Sequence, residues 1–178
     1  DLEPSITAPS ALALAGCNAY HPAVIEQTCI ETARLILRPW VLEDAAALAR
    51  LAGRREIADT MISVPHPYTE ELARTRIASY AEAFARGDAV HFAIQLKDAG
   101  PLIGAVELRA IEPEHRHAEL SLWIGVEWWG QGLASEAAAA VLRHGFEALG
   151  LNRIQAFHMV RNPASGRVAV VGTDAINE

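Results

Sequence analysis

Trp128-Trp129-Gly130-Gln131-Gly132-Leu133-Ala134-Ser135-Glu136-Ala137 is the stretch that decides the fold. It follows an apolar run, His117 to Val126, that reads as a strand. It leads into an alanine-rich run to Leu149 that reads as a helix. Glycines at a strand-to-helix junction let the backbone turn tightly and come close to a ligand, because no Cβ intervenes. The first N–H groups of the helix have no partner within it, and the helix dipole adds partial positive charge there. Such a mouth suits a phosphate or pyrophosphate. The spacing is Gly-x-Gly-x-x-Ser rather than the dinucleotide Gly-x-Gly-x-x-Gly, and it lies late in the chain. No acid stands about 20 residues on to hold a ribose, and the lysine of a P-loop is absent. By spacing alone, a bare glycine turn before a buried helix accounts for the stretch as well as a pyrophosphate site does.

The 178 residues make room for one domain with a sizeable core. Half the chain is apolar, yet no run approaches the length of a membrane span. A net charge of -7 argues against nucleic acid held by bulk electrostatics and favours a cationic substrate such as an amine. An anion would then be held by local backbone donors, as the glycine loop offers. Cys17 and Cys29 fit neither a disulfide framework nor a metal site, and the histidines show no ligand spacing. Leu14-Ala15-Gly16-Cys17 has the form of a bacterial lipobox. The apolar run before it is short, however, and Asp1 and Glu3 stand where a signal needs positive charge. Residues 1–30 are expected to be an extension or linker before a domain at 31–178.

The elements follow in order. Arg34 to Trp40 reads as a first strand, and Leu42 to Ala52 as a helix with Glu43 and Asp44 in its first turn. Pro65-His66-Pro67 is a rigid turn. Thr69 caps a helix to about Arg86, stopped by Gly87, with Ala73, Ile77, Tyr80 and Phe84 on one face. His91 to Lys97, Pro101 to Ile111 and His117 to Val126 form an antiparallel meander, with Leu102, Val106 and Leu108 on the apolar face of its middle strand. Gln131 to Leu149 is apolar nearly all round and so is buried on more than one side. Leu151 to Met159 is the next strand. Asn162 is a helix N-cap with Pro163 at the first helical position.

Trp129 to Ala137 resembles the acetyl-CoA pyrophosphate loop of the GNAT superfamily of N-acetyltransferases. The closest branch is that of the bacterial ribosomal-protein N-terminal acetyltransferases (RimJ/RimL-like). Further pieces match in order: Glu31 to Trp40, Leu102-Ile103-Gly104, Ala118-Glu119-Leu120, Gly150 to Ile154, and Asn162-Pro163-Ala164-Ser165. The resemblance spans residues 31–168. It implies an α+β fold of the three-layer α/β type, a mixed but mostly antiparallel sheet flanked by helices. It also implies a cytoplasmic acetyl-CoA-dependent enzyme that needs no metal. After Val168 the family continues with two more strands that help build the acceptor pocket. Here Ala169-Val170-Val171-Gly172 follows, so those strands are expected to be missing or altered.

Acetyl transfer to an amine needs a held cofactor, a deprotonated amine, donors for the oxyanion and an acid for the leaving thiolate. In the family, the loop Trp129, Gly130, Gln131, Gly132, Leu133, Ala134 and Ser135 holds the pyrophosphate. The strand edge Trp123, Ile124, Gly125 and Val126 pairs with the pantetheine arm, and one of its N–H groups polarises the thioester. Asn162 contacts the arm, and Ser165 reprotonates the sulfur. From spacing alone Asn162 is a helix cap and Ser165 a first-turn residue. For the base, Glu107 and Glu119 each interrupt an apolar strand. A turn centred near Glu114 sets odd positions opposite odd, so Glu107, Glu119 and Ser121 share one sheet face. Partial burial is expected to raise the carboxyl pKa and improve the base. The competing account is a solvated face paired with Arg109 or His117. Glu119 is preferred, since Ala-Glu-Leu matches the family, with Glu107 second. The expected function is acetyl transfer to a primary amine, a protein N-terminus or a small amine, by direct attack in a ternary complex. A catalytically inactive CoA-binding domain is the alternative. A homodimer remains open.

Overall fold

The computed structural model describes residues 27–61 and 64–174, the last six of these through their backbone. The lipobox-like Leu14 to Cys17 lies outside the described residues. The sheet has six strands: β1 (Ile30–Glu31), β2 (Leu35–Pro39), β3 (Val90–Leu96), β4 (Leu102–Glu112), β5 (His117–Ile124) and β6 (Arg153–Ala156). They lie side by side in sequence order. All neighbours are antiparallel except β5 and β6, which run parallel. Five α-helices accompany the sheet among the described residues: α1 (Ala45–Ala52), α2 (Arg55–Ala58), α3 (Glu70–Arg86), α4 (Leu133–Glu147) and α5 (Pro163–Asp174). This is the mixed, three-layer α+β architecture that the sequence resemblance implies.

Several boundaries differ from the sequence expectation. The strand expected at Arg34 to Trp40 is the second, because Ile30 and Glu31 already pair with Leu37 and Ile36. The helix expected from Leu42 opens as a 3-10 turn, Leu42–Asp44, before α1. The cause is Asp44: its carboxylate accepts from the Val41 amide and forms a two-pronged pair with Arg38 at 2.7 and 2.8 Å. The helix placed at Gln131 to Leu149 is the shorter α4, since Gly132 sits at φ 74° as its N-cap. The strand placed at Leu151 to Met159 shrinks to β6. Beyond residue 168 the backbone continues as α5 to Asp174, and no further strand pairs with the sheet among the described residues. The Thr69 cap holds as expected: its hydroxyl accepts from the Leu72 amide at 3.2 Å, and Gly87 ends α3 at φ 76°.

One expectation about facing is corrected. Ile94 pairs with Gly104 but Gln95 with Leu102, so Ile103 is an extra residue in a bulge. An inserted residue moves its successors to the other face of the strand. Leu102 therefore packs with Leu51 and Ala93, away from Val106 and Leu108, and Ile103 takes its place beside them. The turn arithmetic holds between β4 and β5: Glu107 pairs with Ser121 and Arg109 with Glu119.

The main core lies between the sheet and α4. Leu35, Leu37, Phe92, Ile94, Ile103, Val106 and Leu108 from the sheet meet Leu133, Ala137, Ala138, Val141 and Leu142 from the helix. α5 covers the outer side of α4, which leaves Arg143 and Glu147 as its exposed residues. A second core sits under α1 and α3 on the opposite face, built from Ala45, Leu48, Ala52, Ile57, Ala73 and Ile77. Phe92 is fully buried and meets the His144 ring edge-on at 5.9 Å. Phe92→Ala is expected to cost about 3–5 kcal/mol through the cavity it leaves. Urea unfolding followed by tryptophan fluorescence measures this, and a loss below about 1 kcal/mol would contradict the packing described.

Candidate functional site

The junction between β5 and α4 is a chain of short turns. Gly125 precedes a 3-10 turn, Val126–Trp128, and its missing Cβ leaves room for the Trp128 ring, which would lie 3.0 Å away. Trp129 follows in an extended conformation, half exposed, and its indole Nε1 donates to the Ile124 carbonyl at 2.7 Å. Gly130 and Gly132 both sit at φ 74°, a region that side chains with a Cβ occupy at a cost. The Glu136 amide bonds the Gly132 carbonyl at 3.1 Å, which starts α4. The amides of Leu133, Ala134 and Ser135 therefore lie in the first turn with no helical acceptor, as helix geometry requires. The Leu133 side chain is buried in the main core, so this residue offers its backbone alone to the mouth.

The mouth is fixed from behind by residues the sequence did not single out as a site. The Glu136 carboxylate accepts from the Thr32 hydroxyl at 2.6 Å, the Arg34 amide at 2.8 Å and Arg34 Nε at 2.7 Å. Arg34 Nη1 donates to the Gln131 carbonyl at 3.0 Å. The start of β2 is thus tied to both the loop and the helix. Burial pushes the Glu136 carboxyl up, but the hydrogen bonds from Thr32 and Arg34 outweigh it and hold the group below the ordinary carboxylate range. These residues lie about 100 positions apart in sequence, so no local spacing reveals the contact.

Beside the mouth the sheet parts. β6 pairs with β5 over His117 to Leu120 and no further, whereas β4 follows β5 to Ile124. The outer edge of β5 from Ser121 to Ile124 therefore carries no strand among the described residues. The Gly125 amide donates to Ile103 on the β4 side, at 2.7 Å. Strand alternation then turns the amides of Leu122 and Ile124 toward the opening and those of Trp123 and Gly125 toward β4. Leu122 is a backbone donor that sequence reasoning did not include. Trp123 contributes its side chain instead, as the wall of a cavity. The Val126 side chain packs on the second core.

That cavity, of about 30 Å³, lies on the α1/α3 face of the sheet next to the parted strands. Its walls come from Leu48 and Ala52 of α1, Met61, Val64 and Tyr68 of the following loop, and Trp123. Its polar side is Glu107, Ser121, Arg76 and Tyr80. The volume holds about one or two waters. Glu107 Oε2 is 2.8 Å from His91 Nδ1, and Tyr80 stacks on the His91 ring with centroids 4.0 Å apart. Burial pushes the Tyr80 phenol up to about 12.

Two expectations about the carboxylates change. Burial does push the Glu107 carboxyl up, but the His91 hydrogen bond and the charges of His91, Arg76 and Arg109 outweigh it, so the group titrates below its ordinary value. The expected rise does not occur because cations surround the carboxylate. Glu119 does share the face, but its Oε2 lies 3.4 Å from Arg109 Nη2, and it is not part of the cavity wall. The pairing with Arg109, one of the two partners expected on a solvated face, is what the structure shows for Glu119. His91 and Arg76 were legible as polar residues but not as neighbours of Glu107.

The remaining two residues lie past β6. Asn162 Oδ1 accepts from the Ser165 amide at 3.3 Å, so it caps α5 as its spacing suggests. Ser165 is half-buried in the first turn of that helix.

Comparison with known proteins shows the family and the fold. Residues 34–170 match the family model of the acetyltransferase (GNAT) domain. The chain is 33% identical over 139 residues to the uncharacterized N-acetyltransferase YoaA of Bacillus subtilis, covering 78% of each. It is 32% identical over 102 residues to the ribosomal-protein-serine acetyltransferase of Escherichia coli, covering 57% of this chain and 56% of that one. Its fold superposes on the structure of RimL, a ribosomal L7/L12 alpha-N-protein acetyltransferase in complex with coenzyme A, with a TM-score of 0.75 at 22% identity over 82% of each chain.

The depressed pKa of Glu136 has a consequence for acid stability. Its contribution is complete above the ordinary glutamate pKa of about 4.3 and is lost as pH falls through the lower folded value. Glu136→Gln is expected to cost on the order of 1 kcal/mol at pH 7, with the difference shrinking below about pH 4. Urea unfolding at pH 7 and pH 3.5 measures it; an equal deficit at both would show that the charge is not what matters.

Proposed function

The chain belongs to the acetyltransferase (GNAT) domain family and is an N-acetyltransferase, and we propose that it moves the acetyl group of acetyl-CoA onto a primary amine by direct attack in a ternary complex. One observation carries this: the edge of β5 comes free of β6 beside the mouth of α4. A pantetheine arm can add to that edge as a strand would, through the Leu122 and Ile124 amides. Its diphosphate then meets the amides of Leu133 to Ser135, with Gly130 and Gly132 allowing the close approach. The donor set fits the molecule: a linear amide chain against a strand edge, and two phosphates against a helix N-terminus.

The acceptor amine enters from the Glu107 side. Glu107 rather than Glu119 serves it, since Glu107 borders the cavity and Glu119 does not. Moving a proton from a lysine-type ammonium, pKa about 10.4, to a carboxyl near 4.3 is uphill by about 8 kcal/mol; an α-ammonium near 8 needs about 5. A carboxylate held still lower is a weak terminal base. Glu107 therefore draws in and orients the ammonium and passes its proton through a cavity water toward solvent. That chemistry favours an acceptor with a low pKa, and a protein N-terminus has one. The free amine attacks the thioester carbon, and the β5 edge amide steadies the oxyanion. The intermediate then collapses: the C–S bond breaks, the amine gives up its second proton, and Ser165 relays a proton to the thiolate. Asn162 steadies the arm at the start of α5. Since acetyl-CoA is the donor, the cytoplasm is the proposed place of action.

Acetyl-CoA binding by calorimetry and thiol release with peptides bearing a free α-amine test the proposal. Binding with no turnover on any amine at any pH would favour an inactive CoA-binding domain. Gly132→Val, which forces a branched side chain to φ 74° at the mouth, is expected to weaken acetyl-CoA binding more than 100-fold with the fold kept. Unchanged affinity would remove the loop from the site. Glu107→Gln is expected to lower kcat/KM by 10- to 100-fold with acetyl-CoA affinity within twofold, and Glu119→Gln by less than threefold. The reverse order would return the role to Glu119.

A further inference from the structure

His91 carries no part of the proposed acetyl transfer, yet it is built into the site from three sides. Its Nδ1 lies 2.8 Å from Glu107 Oε2. Tyr80 of α3 stacks flat on its ring, at 4.0 Å and 19°. Its carbonyl accepts from the Gln27 side-chain amide at 2.6 Å, which holds the backbone of β3 at that point. The His91 and Glu107 side chains are 12% and 15% exposed, so water screens their interaction poorly. Histidine is the side chain whose charge ordinarily changes between about pH 5 and 8.

We propose that His91 is a positioning residue that fixes the Glu107 carboxylate and, through its own charge, sets how strongly the cavity attracts a cationic acceptor. The hydrogen bond commits Oε2 to the imidazole, and Oε1 lies 4.0 Å from Arg109 Nε. When His91 is protonated, the pair is neutral and an ammonium gains little from Glu107. When His91 is neutral, the pair carries one negative charge and the ammonium is attracted. Acceptor affinity is therefore higher with the ring neutral than with it protonated. The other groups facing the pair keep their charge over that range. Arg76 and Tyr80 come from α3, Tyr68 from the loop before it, and Arg109 from β4, with its Nε 4.0 Å from Glu107 Oε1. Ser121, across from Glu107 on β5, and Gln27 are uncharged.

The inference rests on the proposed acetyl transfer, and its tests separate the two. The first is the acceptor KM of a Ser-Ala-Ala peptide at saturating acetyl-CoA from pH 5.5 to 7.0, where its α-amine stays mostly cationic. The parent KM is expected to fall about tenfold over that range. In His91→Gln, whose amide can still donate to Glu107, it is expected to stay flat within twofold. The KM for acetyl-CoA is expected to be the same in both. A His91→Gln profile that tracks the parent would overturn the inference while leaving acetyl transfer standing. The second test needs no turnover: NMR titration of the His91 ring in the parent and in Glu107→Gln. Loss of the carboxylate is expected to change the ring's titration curve. An unchanged titration would overturn the inference even if His91→Gln fails to fold. A coupled titration without acetylation of any amine would uphold the pair and reject the proposed reaction.

Discussion

Everything at this site depends on β5 having two different neighbours. On one side β4 bonds it along its length; on the other β6 holds its first half and then leaves. A strand edge that is exposed but rigid is rare in a folded domain, since open edges invite unwanted pairing. Here the rigidity comes from the fully paired side, from α4 packed beneath, and from the Trp129 indole bonded to the Ile124 carbonyl. The main chain can present donors at fixed positions because the sheet behind it cannot move.

The crossover from β5 to β6 makes this arrangement possible. A parallel pair needs a helix between its strands, and α4 supplies it. The turn into that helix must reverse direction within a few residues, which is why two glycines at positive φ stand there. Glu136, one turn into α4, is then held by Thr32 and Arg34 from the far end of the domain. The helix mouth is thus tied to β2 as well as to β5. The same backbone economy that closes the fold leaves three first-turn amides without helical acceptors, the donors assigned to the diphosphate in the proposed function.

The opposite face of the sheet solves a different problem. A carboxylate in a narrow apolar cavity would ordinarily favour its neutral form. Arg76, His91 and Arg109 reverse that preference for Glu107. The outcome is an acid residue kept ionised in the cavity wall, rather than a strong base. Burial alone predicts the opposite sign, and the neighbours decide it.

Much of this was legible in the chain. The glycine loop, the apolar helix behind it, the Thr69 and Gly87 caps and the β4–β5 pairing all arise from local rules of spacing, capping and alternation. Those rules act over a few residues, so one sequence carries them whole. They also placed Glu107 and Glu119 on one face, and the family resemblance put Glu119 first. The structure separates them by the cavity, which Glu107 borders and Glu119 does not, while Arg109 lies near both. Likewise the bulge at Ile103, the Arg34–Glu136 tie and the meeting of His91 with Glu107 were decided by tertiary structure. The tie joins residues about 100 positions apart, and the other two depend on a bulge within one hairpin; all are selected by packing and charge only once the sheet has assembled.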